Sequence, residues 1–227
     1  MRPSRTAKRL RIRVGPAGVE VVQPVGRTTD EVTALLHANR GWVLDELERV
    51  RRLAAVYHPV ISSPGSVLYQ GCSTPVRVES RLGWQGPNRV QYTVETGFVV
   101  VRGPHSQVSA ASTLEGWFRR QARYTIERCL AAALILVRRE ATSVAIRGQR
   151  TRWGSCSSKG NLSFNWRLIQ APDFVLRYLV IHEAVHLVVP DHSARFWLTV
   201  QSLCPETERA RQWLCAHGTA LMKPLVV

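Results

Sequence analysis

Lysine is nearly missing from this chain: of its 31 basic residues, 28 are arginine and 3 are lysine. Acidic residues are also few, 16 in all, so the formal net charge is +15. Many alanines, valines and glycines accompany the arginines, as a GC-rich coding sequence produces without selection on binding, and the charge alone therefore defines no partner. Cysteine is sparse and scattered. Cys72, Cys129, Cys156, Cys204 and Cys215 form no C-x-x-C pair, which argues against a disulfide framework or a cysteine zinc site and reads as reduced thiols. No apolar stretch reaches the roughly eighteen residues of a membrane-spanning helix, so no membrane contact is expected. Met1 to Val14 is basic and alternating and lacks the apolar core of a secretory signal, which makes the cytoplasm the expected compartment. Neither an internal repeat nor a low-complexity tract is present. With 45% hydrophobic residues among 227, the chain can bury a sizeable core, as one large domain or two small ones.

What is present is concentrated in residues 182–192, His-Glu-Ala-Val-His-Leu-Val-Val-Pro-Asp-His. A helix through His186 turns about 100° per residue and places His182 and His186 on one face, one turn apart, as a bite for one metal ion. Glu183 then projects beside the pair, where it takes a proton from a water without being a ligand. Pro190 cannot continue the helix and Asp191 favours a turn, so His192 is expected to return toward the same metal. Three imidazoles leave a fourth tetrahedral position open, the arrangement of catalytic zinc, and one zinc per chain is expected. A shuffled chain of this composition gives H-E-x-x-H about once in a hundred tries, so the motif draws its weight from context. That context is an almost unbroken apolar run from Phe174 to Ile181, with Pro172 and Asp173 at its start. A helix of this kind is buried nearly all round, and a buried Glu183 calls for a compensating cation.

Upstream, Leu10, Ile12 and Val14 alternate with arginines, Gly15 to Gly18 supply a turn, and Val19 and Val21 resume the alternation, which predicts a hairpin. Thr28 and Glu31 are spaced as a capping box, and the apolar period from Val32 to Val50 predicts one long helix to about Leu53. Pro59 and Pro64 close that unit. Strands are expected near 66–70, 74–80, 89–95 and 98–102, and a long helix from about Ser112 to Arg139 with Leu114, Trp117, Phe118, Ile126 and Leu130 facing the core. Ser193 reads as a helix cap, Phe196 and Trp197 as packing beneath the third histidine, and Pro205 and Glu206 as the start of a last helix.

Between these elements, Leu162, Phe164, Trp166 and Leu168 alternate with Ser163, Asn165 and Arg167, a half-buried strand expected to pair with the Val144 to Trp153 run as a hairpin before the metal-bearing helix. One of its edges is available for an extended peptide. Arg152, Asn165 and Arg167 are the polar residues at its base and the candidates for polarising a carbonyl or holding a carboxylate.

Thr151-Arg152-Trp153-Gly154-Ser155-Cys156-Ser157, Asn165-Trp166-Arg167-Leu168-Ile169, His182-Glu183-x-x-His186-Leu187, and His192-Ser193 with Phe196-Trp197 together resemble, in order and spacing, the YgjP-like metallopeptidase family. The resemblance is specific over about 145–200 and looser toward Arg9 to Pro24 and the Trp42 helix. Relatives of that family include the SprT-type minimal zinc peptidases. The resemblance implies zinc held by His182, His186 and His192, with Glu183 as catalytic acid/base. The sequence departs from the usual pattern at Ala184, Val185, Pro190 and Asp191, none of which supplies a ligand.

The expected architecture is α+β: a β-rich N-terminal region with one long helix over 1–104, then a helical zincin-like metallopeptidase region with an adjacent β-hairpin over 105–227. Three functions fit. A zinc peptidase acting on a peptide or protein substrate is the first. A metal-dependent hydrolase of a nucleotide phosphoanhydride is the second, and a basic nucleic-acid-binding module with a structural metal is the third; the nine arginines from Arg119 to Arg152, against Glu127 and Glu140, motivate both. A peptide cleft presents an open strand edge beside the metal, whereas a nucleotide site gathers several arginines around it. Oligomeric state has no signature in the sequence.

Overall fold

The structure, a computed structural model, describes every residue except 1, 5–6, 8, 16–17, 27, 57–64 and 104–106, and gives 2–4 and 53–56 by their backbone alone. Two compact units are present: Met1–Pro59 with Gln212–Thr219, and Val60–Arg211 with Ala220–Val227. The units thus divide near residue 59, whereas the sequence changes character near 104.

In the first unit, β1 (Arg2–Ser4), β2 (Arg11–Gly15) and β3 (Gly18–Pro24) form a sheet in the order β1-β3-β2. The expected hairpin is there, with Ile12 opposite Val21 and Val14 opposite Val19. The turn residues Pro16 and Ala17, and Pro59 and Pro64, lie outside the described residues. Thr28 caps α1 (Thr29–Ala38) with both bonds of the capping box in place. The single long helix expected from here to Leu53 is instead two, α1 and α2 (Arg40–Val56), separated at Asn39. Asn39 leaves helical geometry at φ −110°, ψ 16°, and its side-chain amide donates to Leu35 O at 2.8 Å, a local bond that competes with the helical ladder. The apolar period survives the break, so Val32, Val43 and Val50 are all buried.

The second unit carries β4 (Ser66–Tyr69), β5 (Cys72–Ser80), β6 (Arg89–Thr93) and β7 (Gly97–Arg102) in the order β4-β5-β7-β6. Against this sheet lies α3 (Ala110–Val137), started by Ser109, whose hydroxyl accepts from Ser112 N at 3.1 Å. Phe98, Leu114, Phe118 and Ile126 are fully buried, and rings of Tyr69, Tyr92, Phe98, Trp117 and Phe118 pack at centroid distances of 4.7 to 5.9 Å. Burial of each of the aliphatic and phenyl side chains contributes about 1.5–3 kcal/mol.

A second sheet of this unit has the order β8-β10-β9, from β8 (Ser143–Arg147), β9 (Gly154–Cys156) and β10 (Asn161–Asn165). The hairpin before the helix of His182 and His186 is β9–β10, with Leu162 opposite Cys156 and Phe164 opposite Gly154. The Val144 run is not its partner arm. β8 runs parallel to β10, Val144 opposite Leu162, because the segment from Gly148 to Trp153 crosses over before β9 begins. Strand alternation also ends earlier than expected: after Asn165 the chain tightens into a 3-10 turn over Trp166–Gln170, all five residues buried. α4 (Asp173–Val185), α5 (Ala194–Leu203) and α6 (Thr207–Leu221) complete the chain. Among the described residues no helix is long and apolar enough to cross a membrane.

Candidate metal centre

α4 packs against α3, α5, β9 and β10. Val175, Leu176, Leu179, Val180, Ala184 and Val185 are buried along it, the all-round burial expected from its apolar run. Asp173 opens the helix and pairs with Arg177 at 3.2 Å, where a negative charge suits the helix dipole. His186 caps the C-terminus, and the backbone continues one more turn through Val189 N to Val185 O at 2.9 Å. Pro190 cannot extend this turn, and Asp191 Oδ1 accepts from Ser193 N at 3.2 Å, so the chain reverses and starts α5.

The reversal brings the three histidines together. One ring nitrogen from each of His182, His186 and His192 lies within 4.8 Å of the others, and His182 Nε2 is 3.2 Å from His192 Nε2. Two nitrogens on one tetrahedral zinc, each about 2.0–2.1 Å from it, stand about 3.3 Å apart, so this spacing fits a shared cation. His186 Nδ1 is 3.1 Å from the Val189 carbonyl and donates to it, which leaves Nε2 with the free lone pair. His182 Nδ1 has Tyr178 Oη at 3.5 Å, one turn back on the same helix. Beneath the three rings lies Phe196, fully buried, with centroids 4.8, 4.4 and 4.8 Å from those of His182, His186 and His192. Trp197 closes the side at 5.8 Å from His182 and 5.6 Å from His192.

The electrostatics suit metal ligation. Burial, reinforced by His186, His192 and Arg211, pulls His182 down to about 3, and burial also lowers His186, so these imidazoles are neutral at neutral pH. Burial holds the Tyr178 hydroxyl protonated, pushed up to about 12. Glu183, 5% exposed, is pushed up by burial to about 7, close to where an acid/base exchanges protons most readily.

Metal-free protein should show these shifts as opposed pH dependences. Glu183, raised above its ordinary value of 4.5, favours folding fully below that pH, and the contribution fades as pH rises toward 7. His182, lowered from 6.5, favours folding fully above that pH, and the contribution fades as pH falls toward 3. Over the overlap the Glu183 slope opposes that of the histidines. In metal-free Glu183→Gln this opposing slope is gone, and urea denaturation should show stability rising with pH more steeply than in the parent, by up to about 1.4 kcal/mol per pH unit from pH ~4.5 to ~6.5. Equal slopes in the two proteins would contradict the burial of Glu183.

The cleft around the histidines has a volume of about 720 Å³. One wall is α4 with Glu183 and the three histidines; the other is Arg152, β9 and the turn after it. β9 is the edge of its sheet, paired with β10 and open on its other side among the described residues. Gly154 marks the closest approach of the walls: a β-carbon there would lie 2.5 Å from Glu183 Oε1 and 2.7 Å from its Cγ. Any side chain at 154 therefore displaces the Glu183 carboxylate.

Of the three candidates at the base of the sheet, Arg152 alone lines this cleft. Asn165 is fully buried and fully used: its amide donates to Gln149 O at 2.6 Å and Arg152 O at 3.1 Å, and its Oδ1 accepts from Arg167 N at 3.1 Å. It clamps the loop that leads into β9. Arg167 is buried against Trp166, 4.5 Å from the ring centre, and is absent from the cleft lining. Tyr178 and Gly154 carry roles that the sequence pattern did not assign. Tyr178 had a signal, its four-residue spacing before His182, whereas a glycine chosen for closeness to another segment has none.

The helix carrying His182 and His186, the turn that returns His192 and the open edge of β9 thus meet in one cleft. A profile of the YgjP-like metallopeptidase domain matches residues 8–217, and the chain belongs to the YgjP-like family. Among solved structures, the metallopeptidase zymogen abylysin of Pyrococcus abyssi is similar, with 22% identity over 44% of this chain and 99% of its own, at a TM-score of 0.38. No curated protein matches.

Proposed function

We propose that the protein is a zinc-dependent peptidase that hydrolyses peptide bonds, with His182, His186 and His192 holding one zinc per chain and Glu183 as general acid/base. The observation that carries this reading is the open edge of β9 running beside Glu183 and the three histidines in one cleft. An extended peptide adds to such an edge through main-chain hydrogen bonds, which places a scissile bond opposite the histidines. Arginine is scarce in the cleft, with Arg152 as its one representative among the described lining residues, which favours a peptide over a phosphoanhydride.

The donor set fits zinc, since one ring nitrogen from each of three histidines converges, with the His182–His192 pair 3.2 Å apart, and His186 is oriented by the Val189 carbonyl. Bound zinc acts as a Lewis acid on the scissile carbonyl and makes water more acidic. Glu183 takes one proton from the attacking water, whose oxygen forms the new bond to the carbonyl carbon. When the C–N bond breaks, Glu183 returns that proton to the leaving nitrogen, so the products are an acid and an amine. Arg152, on the opposite wall, meets the substrate's polar backbone or a carboxylate. The test is an unbiased peptide-pool digest with zinc-loaded and chelator-treated protein. New peptide termini that appear only in the zinc-loaded sample support the reading, and cleavage of nucleotides but not peptides would overturn it.

Gly154 offers an independent check on the acid/base. Gly154→Ala should keep zinc at one per chain, because no ligand moves, and lower hydrolysis by about a hundredfold, the scale of a misplaced reacting group. Wild-type rates in this variant would mean that Glu183 acts from another position.

A further inference from the structure

Arg167 is buried at 9% exposure, and neither its Nε nor its Nη1 has a hydrogen-bond partner among the described residues. Its guanidinium rests 4.5 Å from the centre of the Trp166 ring, and that of Arg119 lies 5.5 Å from the same ring. The buried indole nitrogen of Trp166 has no acceptor among them either. Two of these donors converge on one spot: a β-carbon at Gly148 would lie 2.8 Å from Arg119 Nη2 and 3.3 Å from Trp166 Nε1. The three donor atoms of Arg167 and Trp166 are themselves buried, and the chain beside them is exposed at Gly148 and again at Arg150 two residues further on.

Charge is out of balance here. Arg119 and Arg150 act on Arg167 as like charges, and Glu115 is the carboxylate that acts in the opposite sense. Glu115 is already engaged, since Arg119 Nε and Nη2 reach its Oε1 at 2.9 and 2.8 Å. Three guanidiniums against one carboxylate leave two positive charges around a buried, unpaired fork. Burying a guanidinium without a partner is unfavourable, and an oxyanion relieves it.

We propose that Arg119, Arg150 and Arg167, with the indole N–H of Trp166, form a phosphate-binding site beside Gly148, separate from the metal cleft. Phosphate suits it better than carboxylate because its charge near −2 matches the excess and its tetrahedral oxygens accept from several guanidinium forks at once. The site sits at one end of the segment 149–152, whose other end, Arg152, lines the metal cleft, and Asn165 clamps the carbonyls of Gln149 and Arg152. The phosphoryl group can belong to a small molecule or to a nucleic-acid backbone.

Binding is measured on the zinc-loaded full chain, freed of excess metal, by calorimetry and thermal shift with inorganic phosphate, against sodium chloride at matched ionic strength. A second arm uses a short single-stranded oligonucleotide. Phosphate should raise the melting temperature of the parent beyond the chloride control. Arg150→Gln should weaken phosphate about tenfold, the loss of one charge-assisted fork. Arg167→Met, which keeps a long side chain against Trp166, should abolish the response. Tighter binding of the oligonucleotide, weakened by the same substitutions, would make the phosphates those of a nucleic-acid backbone and leave the site standing. No shift beyond chloride, or phosphate binding that survives Arg150→Gln and Arg119→Gln unchanged, overturns the site even if Arg167→Met fails to fold. Peptide cleavage plays no part in these readouts, so the outcome is independent of the peptidase proposal.

Discussion

Glu183→Gln should lower hydrolysis by about a hundredfold to ten-thousandfold while leaving zinc at one per chain. The exchange keeps the size of the side chain and its place against Gly154 but removes the oxygen proposed to accept the water's proton. Nothing in the histidine cluster changes: the three convergent ring nitrogens belong to His182, His186 and His192, and Glu183 is not among them. Rates and metal content should therefore separate. Digestion of a peptide found in the pool screen, monitored on protein of measured zinc content, reads both. Loss of zinc together with activity would make Glu183 a ligand or a folding requirement, and full activity with full zinc would place the chemistry elsewhere.

His192→Ala should produce the largest change in metal affinity, a weakening beyond about a hundredfold, since even a group that only supports a ligand is worth about ten- to a hundredfold. His182 and His186 remain on α4, whose burial does not depend on residue 192, so the fold should persist. What disappears is the third nitrogen, 3.2 Å from His182 Nε2, and with it one of the three proposed ligands. Competition with a chromophoric chelator gives the affinity of parent and variant. Equal affinities would remove His192 from the site.

The features that the sequence discloses are those written within a few residues. Thr28 and Glu31 mark the start of α1, the apolar run of 98–101 marks β7, and the spacing of His182, His186 and His192 around Pro190 and Asp191 implies the convergence that the structure displays. Features that depend on distant partners are hidden. Pairing of β10 with β8 in parallel rather than as a hairpin turns on how the segment 148–153 crosses over, which no local period encodes. Asn165 and Arg167 stand next to strand residues in the sequence and read as cleft candidates, yet the chain leaves the strand at residue 165 and carries Arg167 away onto Trp166. The break at Asn39 was hidden for the opposite reason: the apolar period runs through it undisturbed, and only a single side-chain bond marks the interruption.

The turn between α4 and α5 limits how this protein can change over time. Val189 is tied to the helix end through Val185 and to His186 through its carbonyl, and Ser193 is tied to Asp191, so little slack is left for the intervening chain. One inserted or deleted residue shifts the downstream backbone by about 3.8 Å along the chain, more than the gap between the nearest ring nitrogens. Surface loops ordinarily absorb length changes, but in this one lineages should tolerate substitution far better than insertion, and its length should be a firmer mark of a working centre than the identities of the residues between the second and third histidines.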